Sequence, residues 1–190
     1  LTPRYLDYSQ ARARNALEYL QARLTLGRVA GDRSRELGHL ATRYLEIEKY
    51  LTVRRGVWDE VSQGIEAAVG VFSDREAFYD PRQLVRAWRT VDKALELVSL
   101  PFHPSRLRFN DFSAPGHPMT VDGLVAFTRS SAENPFLPFL TSQVRDLLRD
   151  APDLVGISIN SHSQLFGGLT LARLLMERKG AGIRMTLADQ

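Results

Sequence analysis

The sequence predicts an α/β protein in which a helix-rich N-terminal part precedes an incomplete parallel sheet. Three observations predict this. Residues 8–99 carry four apolar stripes at helical spacing. Residues 153–160 form a short apolar run ending in polar residues, and residues 183–187 form a second one. Between them, about 164–179 reads as a helix stopped by Gly180-Ala181-Gly182. Two nearly all-apolar strands joined through a helix imply a parallel sheet covered on both faces. Ligands of open sheets of that kind sit beyond the carboxyl ends of the strands.

The helices follow in order. The first places Ala13, Leu17, Leu20 and Leu24 on one face. Gly27 to Gly31 ends it, and Asp32 or Ser34 can cap the second, whose stripe is Leu37, Leu40, Tyr44, Ile47 and Leu51. The third carries Trp58, Val61, Ile65, Ala68 and Phe72; the fourth carries Leu84, Ala87, Val91, Leu95 and Val98. Each stripe has charges opposite it. Asp80-Pro81-Arg82-Gln83 is a helix start, with Asp as N-cap and Pro at the first helical position. Pro101 and Pro104 end the fourth helix. Such helices can bundle alone or lie over a sheet.

Residues 101–134 are the irregular part. Leu107-Arg108-Phe109 alternates like a short strand, 113–118 is loop, and Thr120 can cap a helix over 121–128. Asn134-Pro135 starts another helix, with Phe136, Leu140, Val144 and Leu147 on one face. A doubly wound sheet needs more strands than are visible, and the first residue is Leu1. Both suggest a piece of a longer protein.

Composition bounds the function. Hydrophobic residues make up 44% of the 190, enough for a core. No apolar run is long enough to span a membrane, and no leader is visible, so a cytoplasmic home is expected. There is no cysteine, hence no disulfide, thiolate nucleophile or iron–sulfur ligand. Net charge is +3, and Lys occurs only at Lys49, Lys93 and Lys179. Charges interleave along the helices as on solvated faces, so no nucleic-acid partner is expected.

The candidate site is the strand-end turn. Ser158, Asn160, Ser161, His162, Ser163 and Gln164 lie at the rim, with the chain end at Asp189. Short hydroxyl residues leave room for a ligand and offer donors, while the next helix brings its positive end. The plainer reading of Ser161 or Ser163 is a helix cap. Gly167-Gly168 marks either a close approach of helix to sheet or a later helix start at Leu169. His39, His103 and His117 read as structural. The aromatics Phe72, Phe78, Tyr79, Trp88, Phe102, Phe109 and Phe112 read as core, or as a platform for a large flat group. No dinucleotide fingerprint, P-loop or nucleophile elbow occurs.

One resemblance runs through most of the chain. Pro152-Asp153-Leu154-Val155-Gly156-Ile157-Ser158-Ile159, Gln164-Leu165 and Leu169-Thr170-Leu171-Ala172-Arg173-Leu174-Leu175 resemble the N-terminal domain of cobalamin-type radical S-adenosylmethionine (SAM) enzymes of the natural-product and peptide-maturation branch. Phe78-Tyr79-Asp80-Pro81, residues 94–99 and Glu133-Asn134-Pro135-Phe136 fall in the expected order. The resemblance implies a helical region over 1–100 and a partial Rossmann-like, cobalamin-binding-type region over 101–190 that continues further. It implies that the helices pack on an incomplete Rossmann-like parallel sheet.

It also implies a cofactor- and substrate-holding role within a methyltransferase or peptide-modifying enzyme, this segment not being catalytic alone. The substrate so implied is a peptide or small natural product. SAM and a 4Fe–4S cluster belong to a part not contained here. Ser158, Ser161 and Gln164 match the loop that approaches the buried tail of cobalamin; Asn160, His162 and Ser163 share that turn as cofactor-binding candidates, and His162 can donate to a phosphate, an amide or a corrin side chain. Asp189-Gln190 falls where the family carries Gly-Gly after its next strand, and Ala188-Asp189 departs from that pattern. That departure favours the alternative, a helical protein-interaction scaffold on a degenerate Rossmann-like base that binds no cofactor.

Overall fold

The computed structural model describes residues 1–31, 34–149, 152–179 and 185–188. It is helix-rich and divides into two compact units, Leu1–Phe109 and Asn110–Gln190.

The first unit is built from α1 (Pro3–Val29), α2 (Arg35–Leu51), α3 (Gly56–Val71), α4 (Arg75–Tyr79) and α5 (Pro81–Ser99). A 3₁₀ turn, Leu100–Phe102, and a two-residue strand β1 (Arg106–Leu107) follow. Helix α1 begins earlier than its apolar stripe suggests. Thr2 caps it by accepting from the Tyr5 amide at 3.3 Å, and Pro3 occupies the first turn. Ser34 caps α2, accepting from the Leu37 amide at 3.3 Å; Asp32 lies outside the described residues. Asp74 caps the short α4, which the stripes do not reveal. Asp80 Oδ1 accepts from the Arg82 amide at 2.8 Å and Oδ2 accepts from Gln83 Nε2 at 3.0 Å, so the expected start of α5 is present.

The apolar stripes converge on one core of Leu6, Ala13, Leu20, Ile47, Trp58, Ile65, Ala94 and Leu97. Its polar pin is Trp58, whose Nε1–H donates to the Tyr50 carbonyl at 3.1 Å. Nearby, Tyr50 Oη donates to Glu96 Oε1, and Lys93 Nζ donates to Glu96 Oε2 at 2.7 Å. Burial alone pushes the Glu96 carboxyl up. Hydrogen bonds from Lys93 and Tyr50, with the Lys93 and Arg108 charges, outweigh it and leave the group below its usual 4.5. A depressed folded pKa adds stability that is complete above the unfolded value and drains as pH falls through the folded one. The denaturation midpoint is therefore expected to fall as pH drops below about 4.5. In Glu96→Gln that part of the acid slope should be missing from a urea series; an unchanged slope would contradict the network's role.

The second unit holds β2 (Phe112–Ser113), α6 (Val121–Arg129), α7 (Phe136–Leu147), β3 (Val155–Ser158), α8 (His162–Lys179) and β4 (Met185–Ala188). Thr120 caps α6, accepting from the Gly123 amide at 3.2 Å. Gly123 is required there, because a Cβ would stand 2.2 Å from the Pro118 carbonyl oxygen. Strands β3 and β4 pair in parallel, Val155 with Met185 and Ser158 with Ala188, and no third strand joins them among the described residues.

The expectation that both faces of this layer are covered needs correction. Val155 and Ile157 pack with Val144, Leu174 and Leu175, while Gly156 and Ser158 on the other face are exposed. Among the described residues, one face of β3 meets helices α7 and α8 and the other does not. A similar correction applies to α7: Leu147 is exposed and Leu148 turns into the core instead. No helix among the described residues is long and apolar enough to cross a membrane.

Candidate functional site

The rim at the carboxyl end of β3 is assembled by local hydrogen bonds. Ser158 Oγ donates to Asn160 Oδ1 at 3.2 Å, and the Asn160 amide donates to Gln164 Oε1 at 2.7 Å. Ser161 Oγ and Ser163 Oγ lie 2.9 Å apart, and the Gln164 amide donates to the Ser161 carbonyl at 3.1 Å, closing the first turn of α8. Five of the expected residues thus meet in one turn. His162 opens α8 and is exposed, as are Ser158, Asn160, Ser161 and Gln164; Ser163 is half-buried. Asp189 lies outside the described residues.

The arrangement changes the weight of individual residues. Gln164 is engaged by its carbonyl oxygen in holding the turn, so its amide nitrogen is the end left for a ligand. Ser158 points from the uncovered face of β3. Beside it, nothing stands within 4 Å of a Cβ built on Gly156, which leaves space over that face. The N-terminus of α8 adds partial positive charge to the turn, weakened by its exposure.

Gly168 explains why the turn sits where it does. A Cβ at Gly168 would lie 2.7 Å from Ile159 Cδ1 and 3.0 Å from Ile159 Cγ1. Of the two readings of Gly167-Gly168, close approach of helix to strand is the one observed, since α8 already begins at His162. The missing side chain lets α8 lie close over the end of β3.

Behind the rim stands a pin that sequence reasoning missed as such. Asn134 is fully buried. Its Nδ2 donates to the Phe127 carbonyl at 3.2 Å and to Thr170 Oγ1 at 3.0 Å, and its Oδ1 accepts from the Phe136 amide at 3.0 Å. Arg173 Nε donates to the Thr128 carbonyl at 3.1 Å. One amide side chain therefore ties the end of α6, the start of α7 and the middle of α8. The residues of α8 that carry the resemblance are partly explained by this role.

The aromatic platform is not formed at this rim. Phe112 packs edge-on against Phe127, Phe136 and Phe166, with centroids 5.5, 4.8 and 5.2 Å apart, so these rings fill the core of the second unit. Phe109 stacks on Phe72 in the first unit at 5.3 Å.

The remaining histidines divide. His39 is exposed on α2. His103 is held below its ordinary pKa by burial, reinforced by the Arg106 and Arg43 charges. His117 Nε2 stands 3.2 Å from Glu133 Oε2 without the alignment of a hydrogen bond, and its ring leans on Phe127. The described residues contain no group of three or more His, Cys, Asp or Glu placed to hold a metal ion. Compared with known proteins, the chain matches no family model, no curated protein and no solved structure.

Proposed function

We propose that this chain is the cofactor- and substrate-holding part of a cobalamin-type radical SAM enzyme, a methyltransferase or peptide-modifying enzyme. The observation that carries the reading is the β3–α8–β4 crossover, parallel in pairing, with a solvent-open polar turn beyond the carboxyl end of β3. Open α/β layers hold ligands at that edge. The extension of this pair into a full Rossmann-like sheet belongs to the same proposal.

The residues present fit a corrin in two respects. Its amide-rich edge needs small hydrogen-bonding neighbours, which Ser158, Asn160, Ser161, His162 and Ser163 supply. Its flat body needs clearance, which the bare Gly156 face gives. When bound, cobalamin supplies methyl-carrier chemistry. The chain's own residues orient it: the free amide end of Gln164 donates, Ser158 Oγ, whose proton goes to Asn160 Oδ1, accepts from a corrin amide, and the α8 N-terminus favours electron-rich groups. Peptide or small natural-product substrates follow from the resemblance alone.

The test is retention of corrin. The full-length protein is mixed with hydroxocobalamin, desalted, and its visible spectrum recorded. Near-stoichiometric corrin is expected on the wild type. Ser158→Leu, whose larger side chain fills the clear face, should lose it with an unchanged far-UV spectrum. No corrin on the wild type would defeat the cofactor reading. A second reading, an interaction module that holds no cofactor, rests on Ala188-Asp189, the departure from the family's Gly-Gly.

A further inference from the structure

A groove of 910 Å³ runs between α3 and α5 in the first unit. The α3 side offers small apolar side chains, among them Ala67 and Val71, and one acid, Glu60. The α5 side is basic: Arg82, Arg86 and Arg89 all line the groove, recurring at the four-then-three spacing that keeps them on one helix face. All three are exposed, and none has an ion-pair partner among the described residues. Their charges stand close together along one wall, opposed by a single carboxylate.

A few basic side chains of this protein pair with carboxylates, among them Lys93 with Glu96, Arg108 with Asp92 and Arg173 with Glu177; what sets Arg82, Arg86 and Arg89 apart is that they share one wall of a groove. The α5 row is left open over an apolar floor. Guanidinium groups bind carboxylates in a planar, two-pronged geometry, and Arg is favoured wherever such recognition occurs. A polynucleotide fits less well, because the lining of the groove offers no aromatic ring for base stacking, on which single-strand binders rely.

We propose that the α3–α5 groove docks an acidic peptide segment, its carboxylates on Arg82, Arg86 and Arg89 and its apolar side chains on Ala67 and Val71. The proposal rests on the groove alone and stands whether or not the chain holds a corrin.

The probe is a short fluorescein-labelled peptide rich in glutamate and leucine, read by fluorescence anisotropy with the full-length protein. Saturable binding that weakens with added salt is expected. The triple variant Arg82→Gln/Arg86→Gln/Arg89→Gln should bind roughly tenfold more weakly or worse, as should the same peptide with glutamine for glutamate. Ala67→Trp fills the floor at an exposed position and should also abolish tight binding, while circular dichroism confirms that both variants fold. Equal affinity of wild type and triple variant overturns the proposal. So does equal affinity for the neutral peptide, or tighter binding of an oligothymidine than of the acidic peptide.

Discussion

Asn134→Ala is expected to lower unfolding stability by about 3 kcal/mol or more, since removing a partner from a buried polar group costs about 1–3 kcal/mol each time. The side chain is 0% exposed and serves three groups at once. Without it, the Phe127 carbonyl loses a donor and the Phe136 amide loses its acceptor in the first turn of α7. Thr170 suffers least, because its hydroxyl still donates to the Phe166 carbonyl at 2.7 Å. Thr170→Val should therefore cost less than Asn134→Ala, and the double variant should cost less than the sum, as coupled partners do. Urea denaturation of the four proteins in the cycle measures this directly. Additive losses would show that the Asn134–Thr170 bond contributes nothing. Hydrogen exchange in Asn134→Ala should quicken in α6, α7 and α8, and leave α1–α3 unchanged.

Trp58→Ala is expected to cost about 3–5 kcal/mol, the range for deleting a large buried aromatic. Trp58 is 3% exposed, sits among the α3 residues that meet the unit's core, and donates its indole N–H to the Tyr50 carbonyl. Truncation leaves a cavity in the core of the first unit and strands a carbonyl at the end of α2. Against a typical total stability of about 5–15 kcal/mol, this is a large share. The melting temperature should fall by more than about 10 °C. Trp58→Phe keeps most of the volume but not the donor, so it should fall in between. A Trp58→Phe variant as weak as Trp58→Ala would mean that the hydrogen bond, rather than the packing, dominates.

Much of the helical part is legible in the sequence because it depends on local rules. The 3-4 spacing of Trp58, Val61, Ile65 and Ala68 shows one face of a helix, and those four residues are buried. Asp80-Pro81 announces a helix start because an Asp side chain reaches the next free amides, and it does so here. Thr2-Pro3 carries the same signature, and reading it would have placed the start of α1. Interactions across the chain were not legible. Nothing near Asn134 in sequence names Thr170 as its partner, and nothing near Gly168 names Ile159 as the neighbour that needs its missing side chain.

The site was legible as an address more than as a set of roles. Apolar residues running into a Ser- and Asn-rich turn locate a strand end. The same string does not reveal that Gln164 is engaged on the Asn160 amide or that Gly156 and Ser158 share an uncovered face. Coverage depends on what packs from elsewhere, which period alone cannot supply. The groove between α3 and α5 was equally hidden. Arg82, Arg86 and Arg89 read as a solvated face until α3 stands beside them.

The central claim is that the turn beyond β3 is a ligand rim. Amide hydrogen exchange on the full-length protein, with and without hydroxocobalamin, tests it at the residues concerned. Slower exchange at Asn160, Ser161, Ser163 and Gln164, with α1–α3 unaffected, is the result expected. Unchanged exchange across that turn, with corrin present in excess, would contradict it.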